Sequence, residues 1–368
     1  MLRRALQSRF RTALLALAVA YLALRPALGM AGVPADASGG AISPWQMGMT
    51  ALAGLVLFIY GVTQLATGLT EINSQRMRTW LSRFTTNRFA GVVTGGIATT
   101  LLESSSVTII MVIAMVSGGV LTFVQSLGVV LGANVGTAVG AQIIALHIGE
   151  YAPLLMLLGM LLMFLGRSDT RRQIGMVLLG FGLVFYGLGA IDNAMKPLRN
   201  FEPFVRWMRT LGDVPLYGAA VGCAVTLVIQ SSSATVAIIV TLAISGMISL
   251  QAGVAIMLGA EIGTCSDTLL ATIGRGRPAL RTGAFHFLFN LVSAVLGVIF
   301  AKQLVQLVQA LSPDVSVGRQ IANAQILFNL IGVAVALPIL PAIARLLERA
   351  IPNSPRDAQR ARESVPAT

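Results

Sequence analysis

The chain has 368 residues, of which 55% are hydrophobic and only 11% charged, with 38 glycines and a formal net charge of +12. Apolar runs that repeatedly approach the ~20 residues needed to cross a bilayer make it an all-α polytopic membrane protein and exclude a soluble catalytic domain. The surplus Arg and Lys gather between these runs, at Arg76, Arg78, Arg83 and Arg88, then Arg171 and Arg172, then Lys196, Arg199, Arg206 and Arg209, then Arg275, Arg277 and Arg281, the pattern of loops touching anionic lipid rather than nucleic acid.

In chain order, Arg3, Arg4, Arg9 and Arg11 precede an apolar run at 12–24, and small residues with Pro and Gly follow to Gly40. Residues 1–40 read as a signal peptide cleaved near Ala31, or as an uncleaved signal anchor. A spanning helix is expected at 45–69, containing Phe58-Ile59-Tyr60-Gly61. A Gly-rich entry (Gly91, Gly95, Gly96) then leads to Glu103-Ser104-Ser105-Ser106, an apolar helix, a turn at Gly118-Gly119, and a span running into Gly132-Ala133-Asn134-Val135-Gly136-Thr137. Another span is expected at 151–166. The pattern then starts again: Val184-Phe185-Tyr186-Gly187 within 176–191, Gly218 and Gly222, Gln230-Ser231-Ser232-Ser233, Ser245-Gly246, and Gly259-Ala260-Glu261-Ile262-Gly263-Thr264. Spans at 282–302 and 321–346 bring the expectation to roughly ten membrane segments. The tail from Pro352 is polar and is expected to be disordered.

The two patterns align at a constant offset of 127 residues across 91–140 and 218–267. A duplication whose shared residues are polar triplets and glycines within apolar sequence is the pattern of a secondary transporter, where broken or re-entrant helices from two inverted repeats meet near the bilayer midplane. The expected organisation is a first transmembrane repeat at 41–173, a second at 174–301, a C-terminal transmembrane region at 302–349 and a tail at 350–368.

Three serines beside Glu or Gln in hydrocarbon are costly unless they face protein or a hydrated cavity. Serine also favours helix N-caps, and a helix starting at Ser104 or Ser231 presents open backbone N–H groups and the positive end of its dipole. Two such starts would grip a tetrahedral oxyanion through Glu103, Ser104, Ser105 and Ser106 on one side and Gln230, Ser231, Ser232 and Ser233 on the other. The competing reading is that Ser and Gly only permit close helix packing.

The second polar segment suits a small cation. Its glycines are expected to let the helix unwind and free carbonyl oxygens, while Asn134, Thr137, Glu261 and Thr264 add side-chain oxygens. Asp267, an intramembrane carboxylate, strengthens the second copy, and Thr108 and Thr235, which flank the triplets, join the set. Sodium is the natural candidate. The competing reading here is a Gly kink with each Thr bonded back onto its own helix.

At these residues the chain resembles the sodium–phosphate cotransporter family, the type II group with its bacterial relatives. The second signature is intact as Gln230-Ser231-Ser232-Ser233-Ala234-Thr235, and the first Asn-x-Gly-Thr as Asn134-Val135-Gly136-Thr137. His286-Phe287-Leu288-Phe289-Asn290 and Gln325-Ile326-Leu327-Phe328-Asn329 resemble later segments of the family, and the likeness runs over 52–346. The resemblance implies sodium-driven symport of inorganic phosphate by alternating access in a bacterial inner membrane, with sodium as co-substrate and no other cofactor.

Two residues depart from the family: Glu103 replaces the first signature's Gln, and Glu261 replaces the Asn of the second Gly-Thr segment. An ionised Glu103 beside a phosphate dianion would repel it, so Glu103 is expected to be protonated with phosphate bound, paired with a cation, or turned away. That keeps a proton-coupled carrier, or a carrier of another oxyanion, in play; a non-transporting phosphate sensor or scaffold is the third reading. No nucleophile–base pair, phosphate loop or metal cluster is legible, so an enzyme is not expected. Cys223 and Cys265 read as buried thiols, and His286 as a satisfied packing residue.

Overall fold

A computed structural model describes residues 44–144, 148–166 and 168–354, and the stretch expected to be a signal peptide or anchor and most of the tail lie outside these described residues. The chain opens with α1 (Pro44–Phe84), α2 (Arg88–Leu102), α3 (Ser105–Ser117), α4 (Phe123–Ile144) and α5 (Ala152–Leu165). It continues through α6 (Asp169–Met195), α7 (Glu202–Asp213), α8 (Pro215–Ile229), α9 (Ser232–Ile244), α10 (Leu250–Gly263) and the short α11 (Cys265–Leu270). The last elements are α12 (Arg277–Ile299), α13 (Ala301–Leu311) and α14 (Val317–Ala350).

Six segments among the described residues are long and apolar enough to cross a bilayer, and the count is seven if α7 and α8, bent by 105°, form one span. Of the roughly ten membrane segments expected, the described residues thus hold six or seven long enough to cross, and four further apolar helices are shorter. The helices either side of the first Ser triplet have 15 and 13 residues, about 20–22 Å at 1.5 Å per residue, short of a ~30 Å hydrocarbon core. The same lengths recur in α8 and α9. Hydropathy alone does not tell two such half-length helices from two spans.

α1 runs well past the expected end at 69, because residues 70–84 contain no Gly or Pro to stop it. Arg76, Arg78 and Arg83 thus lie on the helix itself, and Arg83 meets the negative end of its dipole. α6 likewise starts upstream of the apolar run, at Asp169, capped by the Ser168 hydroxyl accepting from the Arg171 amide. α7 is amphipathic, with Met208 and Leu211 buried and Arg206 and Arg209 exposed, the composition of a helix lying along a membrane interface. The span expected at 282–302 stops at Phe300, where α13 turns off and buries Leu304, Val305 and Val308.

The 127-residue offset holds in the backbone as well as in the sequence. Glu103 and Gln230, the residues between the paired short helices, both adopt left-handed dihedrals, with φ of 49° and 58°. Ser104 and Ser231 follow with extended φ of −157° and −152°, and the turns after α3 and α9 place Gly119 and Gly246 at φ 73°. A side chain at these two glycines would meet the strain of the left-handed region.

One expectation is overturned. α4 stays helical through 132–137 instead of unwinding, and in the second copy only Thr264, itself in the right-handed helical region, separates α10 from α11. The glycines serve contact: a Cβ on Gly132 would overlap the Val92 carbonyl, and one on Gly259 would overlap the Ala219 carbonyl. Missing Cβ atoms let α2 lie backbone to backbone on α4, and α8 on α10, the small-residue packing favoured in membranes. α4 also packs against α9, α12 and α14, so the two units share a core.

Candidate functional site

Each Ser triplet sits where one short helix ends and the next begins. The Ser104 hydroxyl accepts from the Val107 amide and the Ser231 hydroxyl from the Ala234 amide, each at 3.2 Å. Capping uses one of the first-turn N–H groups and leaves those of the next serines facing outward from the helix start. Ser105 and Ser232 are buried, at 6% and 2% exposure. The left-handed residue before each cap ends the preceding helix, a conformation more often met at Gly and held here by non-glycines.

The break after α2 and the break after α8 meet at one cavity. Glu103 lines it together with Ser231 and Ser233, against apolar walls from Phe58 of α1 and Val184 of α6. Its volume is about 40 Å³, room for a few water-sized groups. Glu103 reaches this position across Gly140 of α4, where a Cβ would overlap its carboxylate oxygen. Of the residues assigned to the anion, Glu103, Ser231 and Ser233 share this space, while Ser104, Ser105, Ser106, Gln230 and Ser232 surround the two helix starts without lining it.

The cation candidates fall into three places. Thr108 and Thr235, one turn into α3 and α9, donate to the carbonyls of Ser104 and Ser231 at 3.1 and 3.2 Å. Thr235 also accepts from Thr226 at 2.8 Å, whereas Thr99, the matching residue of the first unit, keeps a buried hydroxyl with no hydrogen-bond partner. Asn134 and Thr137 are buried on α4 and donate to the Val130 and Ala133 carbonyls of their own helix, at 3.3 and 3.0 Å. These bonds engage donors and leave the side-chain oxygens as acceptors.

The third place holds Glu261, Thr264 and Asp267, all buried at the junction of α10 and α11. Glu261 accepts through Oε1 from the Gln325 amide of α14 at 2.7 Å. Around it lie Cys265, His286 and Asn290; His286 contacts the Thr268 hydroxyl through Nδ1 at 2.8 Å and Cys265 through Nε2 at 3.8 Å. Asn290 donates to the His286 carbonyl and Asn329 to the Gln325 carbonyl. Sequence reasoning gave Gln325, Asn290 and Asn329 no part in a site. The signal available was the recurrence of amides at intramembrane positions, where each needs a partner. No group of three or more His, Cys, Asp or Glu among the described residues could hold a metal ion.

The chain is 28% identical over 298 residues to "Uncharacterized protein YqeW" of Bacillus subtilis, covering 81% of this chain and 96% of that protein. It is 28% identical over 306 residues to "Putative inorganic phosphate export protein YjbB" of Escherichia coli K12, covering 83% of this chain but 56% of that protein. The chain thus spans about half the length of that relative. A shorter stretch of 88 residues, 22% of the chain, is 33% identical to human "Sodium-dependent phosphate transport protein 2B", of which it covers 13%. No solved structure matches. The sequence pattern of the Na+/Pi-cotransporter family matches twice, at 57–193 and 198–335, and each match contains one of the two serine-bearing helix breaks. Because these matches cover most of the chain, it belongs to the Na+/Pi-cotransporter family.

Proposed function

We propose that this protein is a secondary active carrier that moves inorganic phosphate with sodium across the inner membrane of a bacterium, alternating access between two inverted repeats. The observation carrying the reading is a cavity lined both by Glu103 of one unit and by Ser231 and Ser233 of the other. In it, the Ser231 and Ser233 hydroxyls at the start of α9 supply donors to an oxyanion from one side and a protonated Glu103 supplies one from the other, with no covalent chemistry required. The name of the human relative speaks of sodium-dependent phosphate transport and that of the Escherichia coli relative of phosphate export. A symporter runs in whichever direction the combined gradients dictate, so both fit one machine.

The test is radiolabelled phosphate flux in proteoliposomes, with sodium and proton gradients imposed separately and in both directions. Phosphate is expected to follow an imposed sodium gradient; flux indifferent to sodium would remove sodium coupling from the reading. Glu103, standing where the family signature has Gln, favours one variant in which a proton accompanies phosphate, and the proton gradient arm detects it.

A second expectation separates cation ligands from helix-internal hydrogen bonds. Asn134→Ala, Thr137→Ala and Thr264→Ala should each raise the sodium concentration for half-maximal flux several-fold, with smaller changes in phosphate affinity at saturating sodium. An unchanged sodium dependence in all three would leave the bonds to Val130 and Ala133 as their whole role.

A further inference from the structure

A buried polar pair away from the serine cavity is left incomplete by the protein alone. Glu261 on α10 is 1% exposed and Gln325 on α14 is fully buried. Their one mutual hydrogen bond, Gln325 Nε2 to Glu261 Oε1, leaves neither Glu261 Oε2 nor Gln325 Oε1 in a formed hydrogen bond, and the Asn329 side chain of α14 is the further amide facing the Glu261 carboxyl. The amide is fixed this way round, because turning it over would set its oxygen against the carboxylate. A pair serving only to join α10 to α14 would be expected to satisfy its acceptors, since each orphaned group costs about 1–3 kcal/mol.

Both are oxygens on one hydrogen-bonded pair, and buried oxygen acceptors whose hydrogen bonds are unmade suit a hard cation. The charge argues for a monovalent one. Glu261 forms no ion pair with Lys or Arg among the described residues, and the titratable groups at the same junction are Cys265, against the Glu261 carbonyl, Asp267 on α11, and His286 on α12, which contacts Cys265. The buried Arg281 is engaged elsewhere, donating to the Ile351 carbonyl and the Asn353 side chain. A carboxylate held this far from water without a counter-charge is expensive. The first unit carries neutral Asn134 at the matching position, so the two copies of the segment are not equivalent in charge.

We propose that Glu261 Oε2 and Gln325 Oε1 are ligands of a sodium site between α10 and α14, which makes the C-terminal helix part of the coupling machinery. The proposal rests on the reading of this chain as a sodium-coupled carrier and adds a ligand from outside the duplicated segments. Loading sodium here would neutralise Glu261 and complete the contact between α10 and α14.

The test uses the purified full chain in detergent, without phosphate, following its thermal unfolding midpoint as sodium chloride replaces choline chloride at constant ionic strength. Sodium is expected to raise the midpoint, with half-saturation moved at least tenfold higher, or the protection lost, in Gln325→Asn, Gln325→Leu and Glu261→Gln. A merely structural pair would lower the midpoint in every salt and leave the sodium dependence where it was. Gln325→Asn keeps an amide and guards against a variant that does not fold. Superimposable sodium curves, no protection of the wild type by sodium, equal protection by potassium, or protection following pH alone would each overturn the site. Parallel flux measurements keep the two readings apart. Sodium-driven phosphate flux that ignores Gln325 removes the site and leaves the carrier, whereas sodium protection that depends on Gln325 in a protein moving no phosphate removes the carrier and leaves the site.

Discussion

Glu103→Gln is expected to carry phosphate at close to the wild-type rate while losing much of the pH dependence, whereas Glu103→Ala is expected to lose phosphate affinity by about tenfold or more. The side chain stands at the cavity shared with Ser231 and Ser233. Two unit charges 4 Å apart repel by roughly 4 kcal/mol at an effective dielectric constant of 20, and a phosphate dianion would roughly double that. Glu103 is therefore expected to be uncharged when phosphate is bound and to donate a hydrogen bond, which a glutamine amide also supplies. The sign follows: if a proton enters with phosphate, wild-type affinity rises as pH falls through the titration of Glu103, and that component vanishes in the Gln variant. The residual slope belongs to phosphate itself. Glu103→Gly is the backbone control, because glycine suits the left-handed dihedrals at this position and removes only the side chain. Flux against pH at fixed sodium is the measurement. If Glu103→Gln abolishes sodium dependence and Glu103→Asp preserves it, the residue is a cation ligand and the hydrogen-bond donor account is wrong.

Adding one methyl group at Gly259 or Gly222 should be among the most damaging small changes in the chain. A Cβ at Gly259 would overlap the Ala219 carbonyl and one at Gly222 the Ile256 carbonyl, and backbone atoms cannot rotate aside. α8 and α10 would have to separate, displacing the Ser231 helix start from the cavity. Overpacking of this kind costs about 1–3 kcal/mol, and a rigid backbone contact belongs at the upper end. Gly259→Ala and Gly222→Ala are expected to lower the thermal unfolding midpoint and to cut flux beyond what the loss of folded protein explains. Gly189→Ala on α6 is the matched control: no atom beyond its own stretch of helix lies within 4 Å of the added Cβ, so the change should be neutral or stabilise by about 0.5–1 kcal/mol through helix propensity. A Gly259→Ala variant as stable as the wild type would mean that α8 and α10 do not approach as closely as described.

The parts of this protein legible in its sequence are those governed by local physics or by repetition. Serine caps a helix through its own hydroxyl and an amide three residues on, so Ser104 and Ser231 announce helix starts without any tertiary partner. The repeated offset turned one ambiguous triplet into a matched pair, and hydropathy placed the chain in the membrane. Where the sequence misled, the deciding partner was distant. Gly132 and Gly259 say only that no Cβ is wanted; whether the helix unwinds there or a neighbour presses in depends on α2 and α8, some forty residues earlier in the chain. Which apolar segments cross fully was not legible for a related reason, since an apolar helix of 13 residues has the hydropathy of a span but not its length.

By itself, the sequence determined the class, the duplication, the helix starts and the family resemblance, because each rests on contacts within a few residues or on comparing the chain with itself. Only the tertiary structure decided which polar groups meet. Glu103 shares a cavity with Ser231 and Ser233 from the other unit, and Glu261 pairs with Gln325, 64 residues away. A buried polar side chain must find a partner, but a linear sequence does not say which, since in a membrane protein the choice is made by how closely packed helices bring distant positions together.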